Sequence, residues 1–460
     1  MASRPVIGLD LGTSGCRALA VDATGHVIAA AAVDLPAPQR DGARVWQDPA
    51  CWWQAVVAVL ARLAADLRAL VTAPPRALAL DGTSATLLLC TPDGRPLGPA
   101  LMYNDASAAA AADWIARCAP ADSPARGASA SLAKLLHLLQ TRAPVAGPVL
   151  ALHQADWIGA RLRGCYVRAG RGESDWNNGL KLGFDPVSGR WPDWLRMPPP
   201  VAAPAHWRAA WAGVWAALPH CHPPGQDLGA IDPTLARHLG LPVDLRILAG
   251  TTDSTAAALA AGIQAPGDAV TSLGSTLVLK LASPRPVNAA SHGIYSHRIG
   301  DLWLAGGASN SGGAVLRQFF DDARLAALSA QIDPSRPSGL DYYPLPAIGE
   351  RFPHADAHLA PRLTPRPADD AHFLAGLFEG IAHIERAGYA RLTALGAPPP
   401  RRILSVGGGA GNRQWTAIRA RILGLPVLPA ARQDAAYGAA RLALSAQPVG
   451  TTTAGSMPCG

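Results

Sequence analysis

The stretch that decides the fold is residues 7–17, which read IGLDLGTSGCR. An apolar run reaches Asp10, a Gly-Thr-Ser-Gly turn follows, and a second apolar run covers residues 18–21. This pattern predicts a strand, a tight turn and a returning strand. Small turn residues let backbone N–H groups approach an anion, Thr13 and Ser14 add hydroxyl donors, and Asp10 can hold a metal ion beside the anion. The stretch indicates either a phosphate-binding hairpin, which suits ATP-dependent chemistry, or an ordinary hairpin.

Composition limits the class of protein. The 460 residues are 49% hydrophobic, which allows a large core and suggests two or three domains. The net charge is +7 and the pI about 9.2, but the basic residues are scattered and form no run of five, so we expect no nucleic-acid partner. Nearly all of that charge is arginine, because the chain has only three lysines, Lys134, Lys181 and Lys280. A lysine retained in such a chain is either a chance survival or fills a role that arginine cannot.

Cysteines and apolar runs bear on location. The seven cysteines are odd in number and never form C-x-x-C, so the sequence predicts neither a disulfide framework nor a zinc knuckle and fits a reducing cytoplasm. The first strand is predicted to begin within six residues, so we expect no signal peptide. No stretch of about 18 uncharged apolar residues occurs, so we expect no membrane span.

The order of patterns along the chain predicts an α/β protein. Apolar positions at helical spacing over residues 52–70 predict an amphipathic helix, and a short buried strand over residues 77–80 follows it. A proline-rich region near residues 190–225 interrupts this alternation, which resumes at residue 245. Residues 270–280 repeat the opening pattern of strand, Gly/Ser/Thr turn and strand. The predicted domains are therefore residues 1–244 and 245–445, with a disordered tail over residues 446–460.

Three further segments are candidates for chemistry. Asp253 follows a strand and opens a helix of small residues, which makes it either a helix N-cap or a carboxylate presented at the edge of a sheet. A glycine run over residues 407–412 lies between a strand and a helix, where it can admit a phosphate or a flat ring or simply form a flexible loop. A glycine-rich stretch over residues 306–313 either lines the same site or serves helix packing. The chain has no Walker A pattern and no G-x-G-x-x-G.

Taken together, these segments resemble the FGGY carbohydrate kinase family of the actin-like ATPase superfamily, with the closest likeness to its D-ribulokinase-like branch, which includes plant and cyanobacterial enzymes once labelled xylulose kinases. The likeness extends from residue 6 to about residue 445. The segments that carry it, in family order, are residues 8–15, 81–86, 100–105, 174–183, 250–254, 271–280, 306–313 and 407–412.

The resemblance implies two ribonuclease-H-like lobes around a central cleft, with the sugar mainly on the N-terminal lobe and ATP mainly on the C-terminal lobe. It implies that Asp10 positions Mg²⁺ and phosphate, and that Asp253 is the catalytic base facing the sugar hydroxyl. The residues that it implies for the nucleotide are Thr13, Gly274, Ser275, Thr276, Gly312, Gly408, Gly409 and Asn412.

The sugar is indicated by fewer residues. Glycerol kinases carry an Arg-Glu pair after the strand that ends at Asp81, and xylulokinases carry a Met-His pair there. This chain has small uncharged residues over positions 83–85, as the ribulokinase-like branch does, and Ser84 occupies the substrate-contacting place. Asp105 is a further candidate for the sugar, and Asp81 either helps or caps the following turn.

The implied reaction is D-ribulose plus ATP giving D-ribulose 5-phosphate and ADP. The alternatives are a kinase for D-xylulose or another ketose or polyol and, in a different class, an actin-like nucleotide-binding scaffold that transfers nothing to sugar. We expect a small-molecule sugar substrate, no membrane partner, and a monomer or homodimer.

Overall fold

The computed structural model describes residues 4–70, 73–142, 147–197 and 205–446. The strands in these ranges are β1 (Val6–Leu11), β2 (Gly15–Val21), β3 (Val27–Asp34), β4 (Gln39–Asp41), β5 (Arg44–Gln47), β6 (Ala77–Gly82), β7 (Leu87–Cys90), β8 (Ala100–Leu101), β9 (Leu150–His153), β10 (Glu173–Asp175), β11 (His220–His222), β12 (Asp227–Ala230), β13 (Arg246–Leu248), β14 (Thr251–Thr252), β15 (Asp268–Leu273), β16 (Leu277–Ser283), β17 (Tyr295–Ile299), β18 (Leu302–Ser309), β19 (Arg402–Val406) and β20 (Val427–Pro429). The α-helices are α1 (Pro49–Leu70), α2 (Ala109–Cys118), α3 (Ser131–Thr141), α4 (Gln154–Arg163), α5 (Trp176–Gly179), α6 (Asp193–Arg196), α7 (Ala205–Ala217), α8 (Pro233–Leu239), α9 (Asp253–Ala261), α10 (Gly313–Leu316), α11 (Asp322–Ser329), α12 (Asp370–Ala394), α13 (Arg413–Leu423) and α14 (Ala435–Ser445).

The chain divides into two compact units: unit 1 is Met1–Ala260 with Asp434–Gly460, and unit 2 is Ala261–Gln433. This division differs from the predicted boundary at 244/245. Strand β13 pairs in parallel with β6, and β14 pairs with the end of β6, so both strands and the helix after them belong to unit 1. Helix α14 also returns to unit 1. The predicted tail over residues 446–460 lies, from residue 447 onward, outside the described residues.

The main sheet of unit 1 contains the pattern that opens the sequence. Its strand order is β12-β13-β6-β1-β2-β3, and β14 also pairs with β6. Strands β1 and β2 form the predicted antiparallel hairpin, with Val6 opposite Val21 and Leu11 opposite Cys16. Strand β1 pairs in parallel with β6 on its other side. Every residue of β1 is buried, as expected for a central strand that helices cover on both faces.

Unit 1 also holds a second sheet of order β4-β5-β8-β7-β9 and a small parallel pair, β10 and β11. Helix α1 contacts β2 and β3, and its side chains Trp52, Leu60 and Leu63 lie fully buried in the core. By length and composition alone, α1 is the one described helix that is long and apolar enough to cross a membrane. Core helices pass the same test, and the burial of its apolar stripe gives α1 that role here.

The sheet of unit 2 repeats the arrangement of unit 1. Its strand order is β17-β18-β16-β15-β19-β20. Strands β15 and β16 form an antiparallel hairpin, and β15 pairs in parallel with β19, as β1 does with β6. The predicted α/β class and duplicated ribonuclease-H-like architecture are thereby confirmed for each unit. A cleft between the units stays a prediction.

Helix α14 is seated directly on the first strand through a glycine. A Cβ atom added at Gly8 would lie 1.9 Å from the carbonyl oxygen of Ala436 and 2.4 Å from the backbone nitrogen of Ala440. Gly438, within α14, is equally close to the backbone of Ala256 in α9. Backbone atoms cannot rotate away as side chains can, so these glycines let the three elements pack at short distance.

We therefore expect Gly8→Ala to destabilise the protein by about 1–3 kcal/mol, because the added methyl group has to push α14 off the sheet. Gly159→Ala in α4 is the matched control, since its Cβ would meet a single side-chain atom, of Leu80, at an ordinary 3.7 Å. That control should be neutral or slightly stabilising, because alanine favours helix. Urea unfolding of the two variants tests this, and equal stabilities would contradict the packing described.

Candidate functional site

Two aspartates lie side by side where neighbouring parallel strands of unit 1 end. Asp10 of β1 and Asp81 of β6 are Cα partners in the register of the two strands. Asp81 is fully buried and Asp10 is 7% exposed. The Arg17 guanidinium, itself half-exposed, lies 3.5 Å from the Asp10 carboxylate. The carboxyl ends of parallel strands are the usual ligand-binding edge of an α/β sheet, so the location favours a functional role.

Asp81 has no hydrogen-bond donor at either carboxylate oxygen among the described residues. The turn-capping alternative for Asp81 is therefore not what the structure shows. Burial raises the pKa of Asp81 well above its usual range, and the charges of Asp10 and Asp253 raise it further. Burial also raises the pKa of Asp10, while a hydrogen bond donated by the protonated form of Asp81 and the charge of Arg17 oppose that rise. Such a pair is stabilised by a proton shared between the carboxyl groups or by a cation.

Asp253 joins this pair through the strand that precedes it. Thr251 and Thr252 of β14 pair with Asp81 and with the residue after it in β6, and α9 starts immediately at Asp253. The Asp253 Oδ1 atom accepts a hydrogen bond of 2.7 Å from the backbone N–H of Ser254, and the side chain is partly exposed. Its charge acts on both Asp10 and Asp81. Three carboxylates from three adjacent strand ends thus converge within unit 1.

The donor set of this edge suits Mg²⁺. Within the described ranges, no group of three or more His, Cys, Asp or Glu side chains is arranged to hold a metal ion by itself. Mg²⁺ is usually bound by only one or two carboxylates and takes its other ligands from water and substrate phosphates. Asp10 and the adjacent Asp81, whose oxygens accept from no described donor, fit that mode of binding, with Asp10 as the predicted ligand.

The turn after β6, residues 83–86, which we call the substrate loop, is held by hydrogen bonds to Gln154 at the start of α4. The Gln154 Oε1 atom accepts from the Thr83 backbone N–H at 3.0 Å and from the Thr83 hydroxyl at 2.8 Å. The Thr83 and Thr86 hydroxyls lie 2.6 Å apart. Ser84 lies partly exposed within this loop, two residues after the end of the strand that carries Asp81. Its contact with a sugar stays a prediction.

Asp105 lies in a different setting from the strand ends that carry Asp10, Asp81 and Asp253, which we call the carboxylate edge. It follows β8, in the second sheet of unit 1, and is fully buried. One carboxylate oxygen accepts from the Val45 backbone N–H at 2.8 Å, and the other accepts from the Ser107 hydroxyl at 2.9 Å and the Ser107 backbone N–H at 3.2 Å. The described contacts of Asp105 are therefore structural, and its predicted contact with substrate remains untested.

Thr13 lies at the tip of the β1–β2 turn, where the prediction placed it. The Gly12 N–H donates to the Gly15 carbonyl at 3.0 Å and closes the turn. Thr13 is partly exposed and follows Asp10 by one turn residue and the last residue of β1. A hydroxyl and backbone N–H groups thus lie next to the aspartate in sequence and at the same end of the strand.

In unit 2, the predicted phosphate-facing turn is the connection between β15 and β16. The Gly274 carbonyl accepts from the Gly313 N–H at 2.8 Å. Gly312 adopts a positive φ of 145°, and a Cβ there would lie 2.8 Å from the Ser275 carbonyl oxygen. The structure thus brings Gly312 against the turn that contains Ser275 and Thr276, and only glycine allows this approach.

The glycine run at the end of β19 meets the same strand end. Gly407 has a φ of 85°, and a Cβ there would lie 2.8 Å from the carbonyl oxygen of Leu273, the last residue of β15. A Cβ at Gly409 would lie 2.6 Å from the Trp415 ring and 2.9 Å from the Leu273 Cβ. Gly408 is exposed, and a Cβ there would meet nothing within 4 Å among the described atoms. The predicted residues of both segments therefore share one sheet edge in unit 2.

Asn412, the last predicted nucleotide residue, has a structural role in the fold. Its Oδ1 caps helix α13 by accepting from the Trp415 N–H at 2.9 Å, and its Nδ2 donates to the Ser329 hydroxyl at 2.8 Å. Both ends of the side chain are engaged within unit 2. A contact between Asn412 and a nucleotide stays a prediction.

Residues without an assigned role also support the carboxylate edge. The Asn177 Nδ2 donates to the Thr251 hydroxyl at 3.0 Å and ties the 174–183 segment to β14. Asp175 caps the short helix α5, and burial, followed by the charge of Asp156, raises the pKa of Asp175 to about 7. Family resemblance marks the 174–183 segment as a whole, but no local pattern identifies Gln154 or the partner of Asn177, because both contacts are non-local.

The Asp10–Asp81 pair predicts an unusual pH dependence. The pKa of Asp81 is higher in the folded protein than in the unfolded chain, so protonated Asp81 favours the folded state. This contribution to the free energy of unfolding is complete below the ordinary aspartate pKa and is lost as pH rises towards the folded pKa. Asp81→Asn removes that loss, and each pKa unit of difference corresponds to about 1.4 kcal/mol. We expect Asp81→Asn to gain stability relative to the native protein as pH rises above the ordinary aspartate pKa of about 4 in EDTA, as measured by urea unfolding. The exposed Asp66→Asn is the control of equal charge change and should follow the native protein. Parallel pH curves for the native protein and Asp81→Asn would exclude the raised pKa.

Comparison with known proteins shows which family has domains similar to those of this chain. The family model described as the N-terminal domain of the FGGY family of carbohydrate kinases matches residues 5–124, and the model of the C-terminal domain of that family matches residues 269–447. A xylulose kinase of Streptomyces coelicolor is 27% identical over 461 residues, which cover 95% of this chain and 86% of the relative. A glycerol kinase of Gloeobacter violaceus is 27% identical over 445 residues, which cover 92% of this chain and 84% of the relative.

Solved structures show the same fold. The xylulose kinase from Rhodospirillum rubrum aligns with a TM-score of 0.79 and 26% identity, over 96% of this chain and 89% of that one. A xyloylose kinase from Brucella ovis aligns with a TM-score of 0.82 and 24% identity, over 96% and 90% of the two chains. With two domain models matched in order and a duplicated ribonuclease-H-like topology, the chain belongs to the FGGY family of carbohydrate kinases.

Proposed function

We propose that this carbohydrate kinase transfers the γ-phosphoryl group of ATP to a hydroxyl of a small ketose, converting D-ribulose to D-ribulose 5-phosphate. The P–O bond to ADP breaks, a P–O bond to the sugar oxygen forms, and the hydroxyl proton passes to a base. The observation that carries this proposal is the convergence of Asp10, Asp81 and Asp253 at one strand edge of unit 1. We further propose that the enzyme works in the cytoplasm as a monomer or homodimer.

Asp253 is the proposed base. It is partly exposed, so a substrate hydroxyl can reach it, and its position at the first turn of α9 fixes the carboxylate. A carboxylate next to the acceptor oxygen takes its proton as the new bond forms. An actin-like scaffold without sugar transfer has no need for such a base. The effect of replacing Asp253 therefore distinguishes the two classes of function.

Asp10, with Asp81 beside it on the neighbouring strand, would hold Mg²⁺. When bound, this ion neutralises part of the phosphate charge. Phosphoryl transfer depends mainly on alignment and on compensation of the charge of the transferred group. Arg17, within 3.5 Å of Asp10, adds a positive charge at the rim. Thr13 supplies a hydroxyl at the neighbouring turn.

We assign the nucleotide to the sheet edge of unit 2. The backbone N–H groups around Ser275 and Thr276 suit phosphate oxygens, since Ser275 is exposed, Thr276 is partly exposed and the turn is built from small residues. Gly408 is open enough for close approach of a ring, and Gly409 and Gly312 keep their surroundings tightly packed. Asn412 fixes the end of this loop by capping α13.

The identity of the sugar rests on the substrate loop. Its residues are small and uncharged, as in the D-ribulokinase-like branch, and Ser84 is the proposed contact. D-xylulose is the second candidate, and it is supported by the names of the relatives, most of which are xylulose kinases. Both are pentuloses and differ in the orientation of one hydroxyl group, so only a direct comparison separates them.

Asp253→Ala should lower sugar-dependent ADP release by about 10²–10⁴-fold, because the acceptor hydroxyl loses its base. Binding of ATP, measured by titration calorimetry, should survive the change. Asp66→Asn on the exposed face of α1 is the control and should leave turnover unchanged. Retained phosphorylation by Asp253→Ala would refute the role assigned to Asp253.

A substrate panel tests the sugar. We expect kcat/KM for ADP release to be highest with D-ribulose when D-ribulose, D-xylulose, L-ribulose, glycerol and ribitol are compared side by side, because small side chains in the substrate loop leave Ser84 as the polar contact. A clear preference for D-xylulose would overturn the ribulose assignment and leave the kinase assignment intact. ADP release that none of these compounds stimulates would instead favour the scaffold.

A further inference from the structure

Lys134 is a charged residue in a place where charge is costly. It is one of only three lysines in the chain, and it is fully buried on the inner side of α3. An amine removed from water destabilises a fold unless its N–H groups find acceptors. A leucine or methionine would fill a similar volume without that cost, so the contacts of this amine must account for the lysine.

The Lys134 Nζ atom joins two segments that are distant in sequence. It donates to the Ala85 carbonyl at 2.8 Å and to the Met102 carbonyl at 2.6 Å. Ala85 belongs to the substrate loop, and Met102 follows β8 in the second sheet of unit 1. The amine therefore ties the loop to the second sheet at Ala85, in addition to the Gln154 contacts at Thr83 and Thr86.

The backbone at Ala85 needs such a contact. Its φ is 64°, in the left-handed region that residues with a Cβ rarely adopt. A conformation of this kind persists only where surrounding contacts impose it, and it is concentrated at functional sites. Ala85, the residue with the strained backbone, is also the residue whose carbonyl accepts from Lys134.

We propose that Lys134 is a positioning residue that holds Ala85 in its left-handed conformation and thereby fixes Ser84 for the sugar. The inference rests on the proposed function, because it takes the substrate loop as part of the sugar site. Ser84 lies between the two fastened residues, Thr83 on one side and Ala85 on the other. In this role Lys134 acts through the Ala85 carbonyl and not by contact with the sugar.

The protonation state of the amine does not alter this role. Burial lowers the pKa of Lys134 to about 7, with the charge of Lys181 acting in the same direction and that of Asp105 opposing it. A neutral amine still has two N–H donors, which equals the number of carbonyls that it contacts.

The test is a set of variants assayed by ADP release with the ketose that the native enzyme prefers. Lys134→Met keeps the volume and removes both donors, and we expect it to raise the sugar KM about tenfold while the ATP KM changes less than about twofold. Lys134→Gln keeps an amide donor and should raise the sugar KM less. Leu136→Ala, a buried change on the same helix, controls for loss of stability and should leave both KM values near native.

Ala85→Gly provides the decisive comparison. Glycine adopts a positive φ without strain, so the loop should no longer depend on the lysine. We expect Ala85→Gly combined with Lys134→Met to bring the sugar KM back towards native, a non-additive effect that general destabilisation would not produce.

The inference is overturned if Lys134→Met leaves the sugar KM unchanged, or if Ala85→Gly fails to lower a raised KM. Should Lys134→Met not fold, the same comparison is made in the Lys134→Gln background. Absence of sugar-dependent ADP release by the native enzyme would overturn the proposed function instead, so the two failures are distinguishable.

Discussion

The pairing of Asp10 with Asp81 on adjacent parallel strands is the constraint on which the site depends. The register of β1 and β6 places the two carboxyl groups side by side, and the main sheet buries them. Asp81 gains no hydrogen-bond donor from the described protein in return. Two acids in such a position are stable only with a shared proton or with a cation, so the fold builds an affinity for positive charge into its centre. The surrounding core, with α14 seated on Gly8, holds the strands in place despite that cost.

A buried ion pair in unit 2 shows what a purely structural charge looks like in the same protein. The fully buried Arg419 donates to both carboxylate oxygens of Glu385, at 2.6 and 2.7 Å, and to the Ser405 hydroxyl at 2.6 Å. Thr271 adds a further donor to Glu385. Every charged group here has its partners, and the network fastens α12 and α13 to the sheet. Asp81 differs from this network, because its oxygens accept a hydrogen bond from none of the described donors and its nearest charged neighbours are also carboxylates.

The two units share one topology but present different chemical groups at the corresponding sheet edge. In each, an antiparallel hairpin leads into a parallel strand pair, and the candidate residues lie where those parallel strands end. The edge of unit 1 carries three carboxylates, which suit a cation and a hydroxyl group. The edge of unit 2 carries glycine, serine and threonine, whose N–H and O–H groups suit phosphate oxygens. The duplicated sheet fixes where a ligand edge lies, and the side chains decide what it binds.

Local patterns made much of this predictable. The hairpins at residues 6–21 and 268–283, the α/β class, and Asp10 and Asp253 at the ends of strands follow from apolar runs interrupted by small residues, since strands and turns are encoded by neighbours in the chain. The sequence could not show that β14 joins the sheet of Asp10 and brings Asp253 with it, or that α14 packs on the first strand. It also could not show that Asp81 lacks hydrogen-bond donors where Asp105 has them, or that Lys134 contacts Ala85. Those outcomes depend on strand register, burial and hydrogen bonds between residues far apart in sequence, such as the 49 positions from Ala85 to Lys134, and these exist only once the chain has folded.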